Sequence, residues 1–188
     1  GNDCKGVSIA ADNLCRDMKL VTGMSNVQLT DNSDAKIVVG TIGHSKAIDA
    51  LAKKGGINAK ALQGKREKFI ITTVGNQLVI AGSDRRGTIY GIYELSKQIG
   101  VSPWYYWADT PLEHHSNIYV NKGVYTDGEP AVKYRGIFLN DEAPCLSTWV
   151  KNTFGTNYGD HRFYAKVFEL ILRLKGNMMW PAMWSWSF

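Results

Sequence analysis

The hydrophobic and polar positions of the first 60 residues follow the spacing of alternating helices and strands. Apolar residues over 8–19 lie near one helical face, and Gly23 follows them as a stop signal. A run rich in β-branched residues predicts a strand over 35–42, and helical spacing resumes over 45–54. The pattern predicts a helix, a strand and a second helix in succession.

The next part of the chain contains a predicted hairpin and a long helix. Two β-rich segments, 68–74 and 77–82, are separated by Gly-Asn at 75–76, a dipeptide that tolerates the positive φ angles of a tight turn. An acidic N-cap and regularly spaced apolar residues then predict a helix over 84–99, ended by Gly100. Together with the preceding elements, these predict a small α/β domain with a mixed sheet.

Residues 101–128 change in composition and are interpreted as a domain edge or connector, with a weak strand at 118–120. The aromatic cluster at 104–107 has two interpretations. It is either a platform on which sugars stack or apolar area buried between two domains, and the domain interface is preferred. His114 and His115 resemble a metal pair superficially. Since adjacent side chains on a strand point apart, a surface pair is the preferred interpretation.

A short hydrophobic strand over 134–140 ends in a concentration of polar groups. Its apolar residues at 137–139 are typical of a strand buried on both faces, and Asn140, Asp141 and Glu142 follow directly. Parallel α/β sheets place their chemistry at the C-terminal ends of strands. This strand end is therefore the candidate functional site.

A loop is predicted over 143–159, a helix over 161–175 and a strand over 177–180. The order strand, helix, strand predicts a parallel βαβ unit. A complete eight-stranded barrel takes about 250 residues. The unit over 129–188 is therefore one repeat of an open sheet or of an incomplete barrel, and it follows a first domain over 1–128.

Composition narrows the class of protein. The chain has 188 residues, 44% hydrophobic and 21% charged, which is ordinary for a globular protein, and no apolar stretch approaches the length of a membrane span. The net charge of +5 is spread along the chain, and its densest cluster, 65–68, carries an acid and is interpreted as a solvated loop or strand edge. This distribution argues against nucleic-acid binding. Cys4, Cys15 and Cys145 form neither a disulfide framework nor a metal motif.

Three segments together resemble glycoside hydrolase family 115, the α-glucuronidases of xylan breakdown. They are RGTIYGIYELS at 86–96, YRGIFLNDE at 134–142 and LRLKGNMMWPAMW at 172–184. The resemblance covers nearly the whole chain but only the N-terminal part of such an enzyme. It implies an accessory α/β domain over 1–128 and the start of a truncated (β/α)8 TIM barrel over 129–188. It implies hydrolysis of the α-1,2 bond between (4-O-methyl)glucuronic acid and xylose, with inversion at the anomeric carbon.

The resemblance also implies site residues. Asp141 matches a catalytic pocket residue, Asn140 and Trp184 match substrate-binding residues, and Glu142 is a less certain neighbour. Residues 185–188 do not match the family pattern. The implied partner is glucuronoxylan or its oligosaccharides, no cofactor or metal is expected, and the implied location is secreted or periplasmic.

An inverting glycosidase needs two carboxyl groups, one as acid and one as base, roughly 6.5 to 9.5 Å apart. Asp141 and Glu142 project to opposite sides of an extended segment, so we expect Asp141 to face the pocket and the partner to lie on a later strand. The isolated chain is therefore expected to be inactive.

The alternative for Asp141 is a loop cap. Arg135 is interpreted as a structural salt bridge in preference to a uronate ligand. A carbohydrate-binding or purely structural module remains the alternative function.

Overall fold

The structure is a computed structural model that describes residues 3–32, 34–140, 143–156 and 159–181. It divides into two compact units, Gly1–Ala131 and Val132–Phe188.

The described residues of the first unit form three helices, four strands and a short 3₁₀ turn. In chain order these are α1 (Lys5–Thr22), β1 (Ile37–Thr41), α2 (Lys46–Lys53), the 3₁₀ turn (Ala59–Ala61), β2 (Phe69–Val74), β3 (Gln77–Gly82), α3 (Arg85–Gln98) and β4 (Val124–Tyr125). The strand order is β1-β3-β2-β4, with β1 parallel to β3 and the other pairs antiparallel. The predicted α/β domain with a mixed sheet is confirmed.

Local signals in the sequence account for the ends of these elements. The Ser45 side chain accepts a hydrogen bond from Ile48 N at the start of α2, and Asp84 accepts one from Gly87 N at the start of α3. Gly23 ends α1 with a φ of 71°, and Gly75 turns the β2–β3 hairpin with a φ of 59°. The stop and turn signals that predicted these boundaries therefore act as expected.

Both faces of the three strands β1, β2 and β3 are covered. On one face, α2 and the following turn bury a cluster made of Ile48, Ile57, Leu62, Ile70, Val79 and Ala81. On the other face, α3 packs against the sheet and α1 packs against α3. A Cβ added at Gly91 of α3 would lie 2.7 Å from Ile80 Cγ2, so this glycine permits the close approach of helix and strand.

One prediction for the first unit is wrong, and the interpretation of residues 65–68, which form the predicted loop directly before β2, is wrong in part. Residues 118–120 are irregular, and the fourth strand lies further along at Val124–Tyr125, where Tyr125 stacks on Phe69 with ring centroids 6.2 Å apart. The 65–68 cluster is not uniformly solvated. Its acid, Glu67, is 2% exposed because it lies beneath α3, with Arg86 Nη1 3.6 Å from its carboxylate.

In the second unit, the part of the chain that the structure describes forms two strands and two helices. They are β5 (Gly136–Phe138), α4 (Leu146–Phe154), α5 (His161–Arg173) and β6 (Met178–Trp180), and β5 pairs with β6 in parallel. The predicted order of strand, helix and parallel strand is therefore present. The predicted loop over 143–159 is wrong in part because it contains α4.

The helix α4 is stabilised by side-chain packing that its sequence pattern does not indicate. Val150 is buried, and the Trp149 and Phe154 rings each meet the Phe163 ring of α5 edge to face, at 6.4 and 6.1 Å. The segment also contains Ser147, Thr148, Asn152 and Thr153, whose low helix propensity weakens its helical signal. Tertiary contact with α5 therefore decides its conformation.

The prediction that β5 is buried on both faces is wrong for this chain. Ile137 is 36% exposed and Phe138 is 54% exposed. Among the described residues β5 pairs with β6 alone, so the sheet of this unit has two strands. Its apolar sequence is nevertheless typical of a strand with a layer on each face.

Candidate functional site

The candidate site lies at the edge of the sheet where β5 and β6 both end. Gly136, Ile137 and Phe138 are in register with Met178, Met179 and Trp180, respectively. Leu139 N donates to Trp180 O at 2.9 Å, which continues the pairing by one residue beyond β5. Because the strands are parallel, the residues that follow them emerge at the same edge of the sheet.

Asn140 lies at this edge, directly after the last paired residue of β5, and its side chain is exposed. The amide can both donate and accept hydrogen bonds, so the group suits the recognition of sugar hydroxyls. Asp141, Glu142 and Trp184 fall outside the described residues. Their assignments stay predictions.

An exposed aromatic pair stands beside this edge. The Phe138 and Trp180 rings meet edge to face at 6.5 Å with an interplanar angle of 87°. Trp180 is 62% exposed, so it does not fill a core within this unit. The pair offers an apolar wall next to the polar Asn140, a combination that suits the apolar face and hydroxyl groups of a sugar ring.

Arg135 lies at the opposite end of β5 and acts locally. Its Nε and Nη2 donate to Lys175 O at 2.9 and 2.8 Å, and its Nη1 donates to Val132 O at 2.7 Å. The expected structural role is therefore present, but the described partners are main-chain carbonyls instead of the carboxylate of a salt bridge. At this end of the strand the guanidinium is remote from the candidate site.

The described carboxylates of the second unit both have structural contacts. Asp160 caps α5 by accepting from the amides of Arg162 and Phe163, and the hydrogen bond from the Arg162 side chain lowers the pKa of Asp160. Glu169 accepts from Arg173 Nε at 2.9 Å. The contacts of Asp160 favour its ionised form, whereas a general acid must be protonated.

The aromatic cluster at 104–107 is packed locally within the first unit. The Arg16 guanidinium lies 5.2 Å from the centre of the Tyr105 ring, and the Tyr106 and Trp107 rings meet edge to face at 5.2 Å. Since Arg16 covers a face of Tyr105, this ring is a poor platform for a sugar. The domain-interface interpretation stays a prediction.

The two adjacent histidines show no metal-site geometry. His115 Nε2 lies 3.6 Å from the Glu113 carboxylate, and both side chains are exposed. Across the described ranges, no three His, Cys, Asp or Glu side chains gather as a metal site. Within the same ranges, no helix combines the length and the apolar character of a membrane span.

Sequence reasoning missed a polar cluster between α3 and β4. Tyr125 OH donates to Asp127 Oδ1 at 2.9 Å and lies 3.3 Å from Glu94 Oε1, which also accepts from Gln98 Nε2 at 2.8 Å. The hydrogen bond to Asp127, burial and the Glu94 charge raise the pKa of Tyr125. Glu94 could have indicated this cluster from the sequence, because it is a charged residue at a buried position of an otherwise apolar helix face.

Comparison with family models gives matches over both parts of the chain. Residues 2–95 match the family described as Glycosyl hydrolase family 67 N-terminus, and residues 127–188 match Glycosyl hydrolase family 115. The fold and these matches define the class, a glycoside hydrolase portion that carries a small N-terminal α/β domain. The comparison with curated proteins found no match.

A solved structure connects the two parts. It is a family GH115 4-O-methyl-alpha-glucuronidase, BtGH115A, described as having specificity for decorated arabinogalactans, and it is 37% identical with a TM-score of 0.85. The match covers 100% of this chain and 25% of that chain. The chain therefore belongs to glycoside hydrolase family 115, as a portion similar to the N-terminal part of its members.

A second solved structure is the Flavobacterium johnsoniae chitobiase FjGH20. It is 14% identical with a TM-score of 0.49, over 75% of this chain and 18% of that chain. This weaker likeness adds nothing to the family assignment.

Proposed function

We propose that the chain is the N-terminal portion of an α-glucuronidase that removes (4-O-methyl)glucuronic acid from a polysaccharide with inversion at the anomeric carbon. The observation that carries the proposal is the match over 100% of the chain, at 37% identity, to a family GH115 glucuronidase. The parallel ends of β5 and β6 supply a suitable place for the site. The proposed domains are an accessory α/β domain at 1–128 and the start of a TIM barrel at 129–188.

In this proposal the residues after β5 and β6 bind one sugar. Asn140 hydrogen-bonds a sugar hydroxyl, Asp141 assists the attacking water, and Trp184 provides an apolar wall for the ring. Inversion requires a second carboxyl group roughly 6.5 to 9.5 Å from the first, with space for water between them. We propose that a later strand of the longer enzyme supplies it, so that the isolated chain is inactive.

The substrate has two candidates. The family resemblance favours glucuronoxylan, whereas the similar solved enzyme is described as specific for decorated arabinogalactans. Both polymers would present a uronic acid to the same pocket. They differ in the sugar to which that uronic acid is bonded before cleavage. Since both are extracellular polymers, we propose a secreted or periplasmic location.

The test uses the longer gene product that contains this chain. We expect it to release uronic acid from glucuronoxylan or from decorated arabinogalactan, and the preferred polymer identifies the substrate class. Asp141→Ala should lower kcat by about 10²- to 10⁴-fold, the usual range for loss of an acid or base. Glu113→Ala is the matched control because it also removes one carboxylate, from an exposed position in the first unit.

Each outcome decides part of the proposal. No uronic acid release from either polymer would reject the glucuronidase assignment. Release with an Asp141→Ala rate equal to that of the Glu113→Ala control would remove Asp141 from the site. If binding to the polymers is found without release, the carbohydrate-binding alternative is correct.

A further inference from the structure

Arg135 and Asn177 form a dense set of hydrogen bonds where β5 begins and where the chain enters β6. Arg135 N donates to Asn177 Oδ1 at 2.9 Å, and Asn177 Nδ2 donates to Lys133 O at 2.7 Å. In the main chain, Arg135 O accepts from Asn177 N at 2.7 Å and from Met178 N at 3.1 Å. The Asn177 side chain therefore acts as an extra rung of the parallel ladder, before its first paired residues.

The Arg135 guanidinium holds the other side of this junction. Two of its nitrogens converge on Lys175 O, and a third donates to Val132 O. Lys175 has a φ of 59°, and a Cβ added at the next residue, Gly176, would lie 3.0 Å from Arg135 O. The turn between α5 and β6 is thus folded tightly around the start of β5.

We propose that Arg135 and Asn177 are positioning residues, which set the register of β5 against β6 and thereby direct Asn140 toward the substrate. Side chains alternate along a strand, so a slip of one residue would turn each side chain to the other face. The sheet has two strands among the described residues, and contacts at their entry are therefore the main local constraint on register. The inference rests on the proposed function, since it assigns a role at the same sheet edge.

The geometry requires the planar fork of arginine. Three guanidinium nitrogens reach carbonyls on two separate segments, which a lysine ammonium cannot reproduce from a single nitrogen. Asn177 must likewise both donate and accept. Asn177→Asp would keep the acceptor for Arg135 N and place a carboxylate oxygen against Lys133 O.

The test compares Arg135→Lys and Asn177→Asp with an Arg162→Lys control in the longer gene product. Arg162 also binds a main-chain carbonyl, Phe154 O at 2.6 Å, but it does so at the start of α5. We expect Arg135→Lys and Asn177→Asp to lower kcat by about 10- to 100-fold, because a displacement of about 1 Å costs that much in rate. KM and Tm should change no more than in the Arg162→Lys control.

Amide hydrogen exchange provides a readout that needs no activity. The Leu139 amide, which donates to Trp180 O, should exchange about tenfold faster in Arg135→Lys than in Arg162→Lys. If both variants match the control in kcat and in Leu139 exchange, the inference is overturned. If the wild type releases no uronic acid, both the proposed function and the role of Arg135 in directing Asn140 are rejected. Faster exchange of the Leu139 amide in Arg135→Lys would still establish Arg135 as the determinant of register.

Discussion

The two units use similar strand sequences and bury them very differently. Ile80 in β3 is fully buried, whereas Trp180 in β6 is 62% exposed. In the first unit β1, β2 and β3 are covered on both faces, and in the second unit the described sheet has two strands. An apolar run therefore predicts a strand in both places, but the burial of that strand depends on layers contributed by other parts of the chain.

The difference also predicts unequal stability. Burial of apolar area is the main favourable term in folding, and two-stranded sheets are marginally stable in water. We expect the first unit to dominate the resistance of the chain to unfolding. The predictions below test this contrast, beginning with the largest effect.

The largest expected effect comes from matched truncations in the two sheets. Ile80→Ala should lower the free energy of unfolding of the first unit by about 2 to 5 kcal/mol, because it leaves a cavity in a closed core. Ile137→Ala should cost less than about 1.5 kcal/mol, since its side chain is already 36% exposed. Urea unfolding of both variants measures the difference, and equal losses would contradict the contrast between the units.

A smaller effect is expected from two glycines of the first unit. A Cβ at Gly87 would lie 2.2 Å from Lys68 O, so Gly87→Ala must push α3 away from the start of β2, at a cost of about 1 to 3 kcal/mol. Gly6→Ala is the control because its Cβ would lie 3.5 Å from Ile89 Cδ1, an ordinary contact. The control should keep stability or raise it by up to about 1 kcal/mol through helix propensity. Thermal unfolding measures the difference in stability between Gly87→Ala and Gly6→Ala. If Gly87→Ala is as stable as the control, α3 can move away from the start of β2 without cost.

The smallest effect concerns pH. Tyr125 has a pKa raised chiefly by its hydrogen bond to Asp127, so its contribution to stability is complete below the ordinary value of about 10. That contribution is lost as pH rises from there through the raised pKa, because the ionised phenol cannot donate. The loss should be under about 1 kcal/mol since Tyr125 is largely exposed.

The control for this pH effect is Tyr125→Phe, which removes the ionising group. Its stability should decline less steeply above pH 10 than that of the wild type. Parallel declines in a pH series of urea unfolding would show that the Tyr125 cluster does not contribute.

The sequence was most informative where signals were local. Gly23, the Gly75 turn and the Asp84 cap predicted element boundaries correctly, because positive φ angles and orphan amides are properties of a few neighbouring residues. The helix α4 and the strand β4 were missed. Both depend on partners distant in sequence, α4 on Phe163 and β4 on Phe69.

The candidate site was predictable only in part for the same reason. Asn140 lies at the expected strand end, since an apolar run that stops at a polar group is a local pattern. The hydrogen bonds that join Arg135 to Lys175 and Asn177 span about forty residues and left no periodic signal. The roles of Asp141 and Trp184 came from the family resemblance and await direct tests.

The central claim is that this chain carries the opening part of a glucuronidase site whose catalytic partner lies in the longer enzyme. The most direct measurement is uronic acid release from glucuronoxylan and decorated arabinogalactan, by the 188-residue chain and by the longer gene product side by side. We predict release by the longer protein and none by the chain. Turnover by the 188-residue chain would contradict the claim, because it would place both catalytic carboxyl groups within these residues.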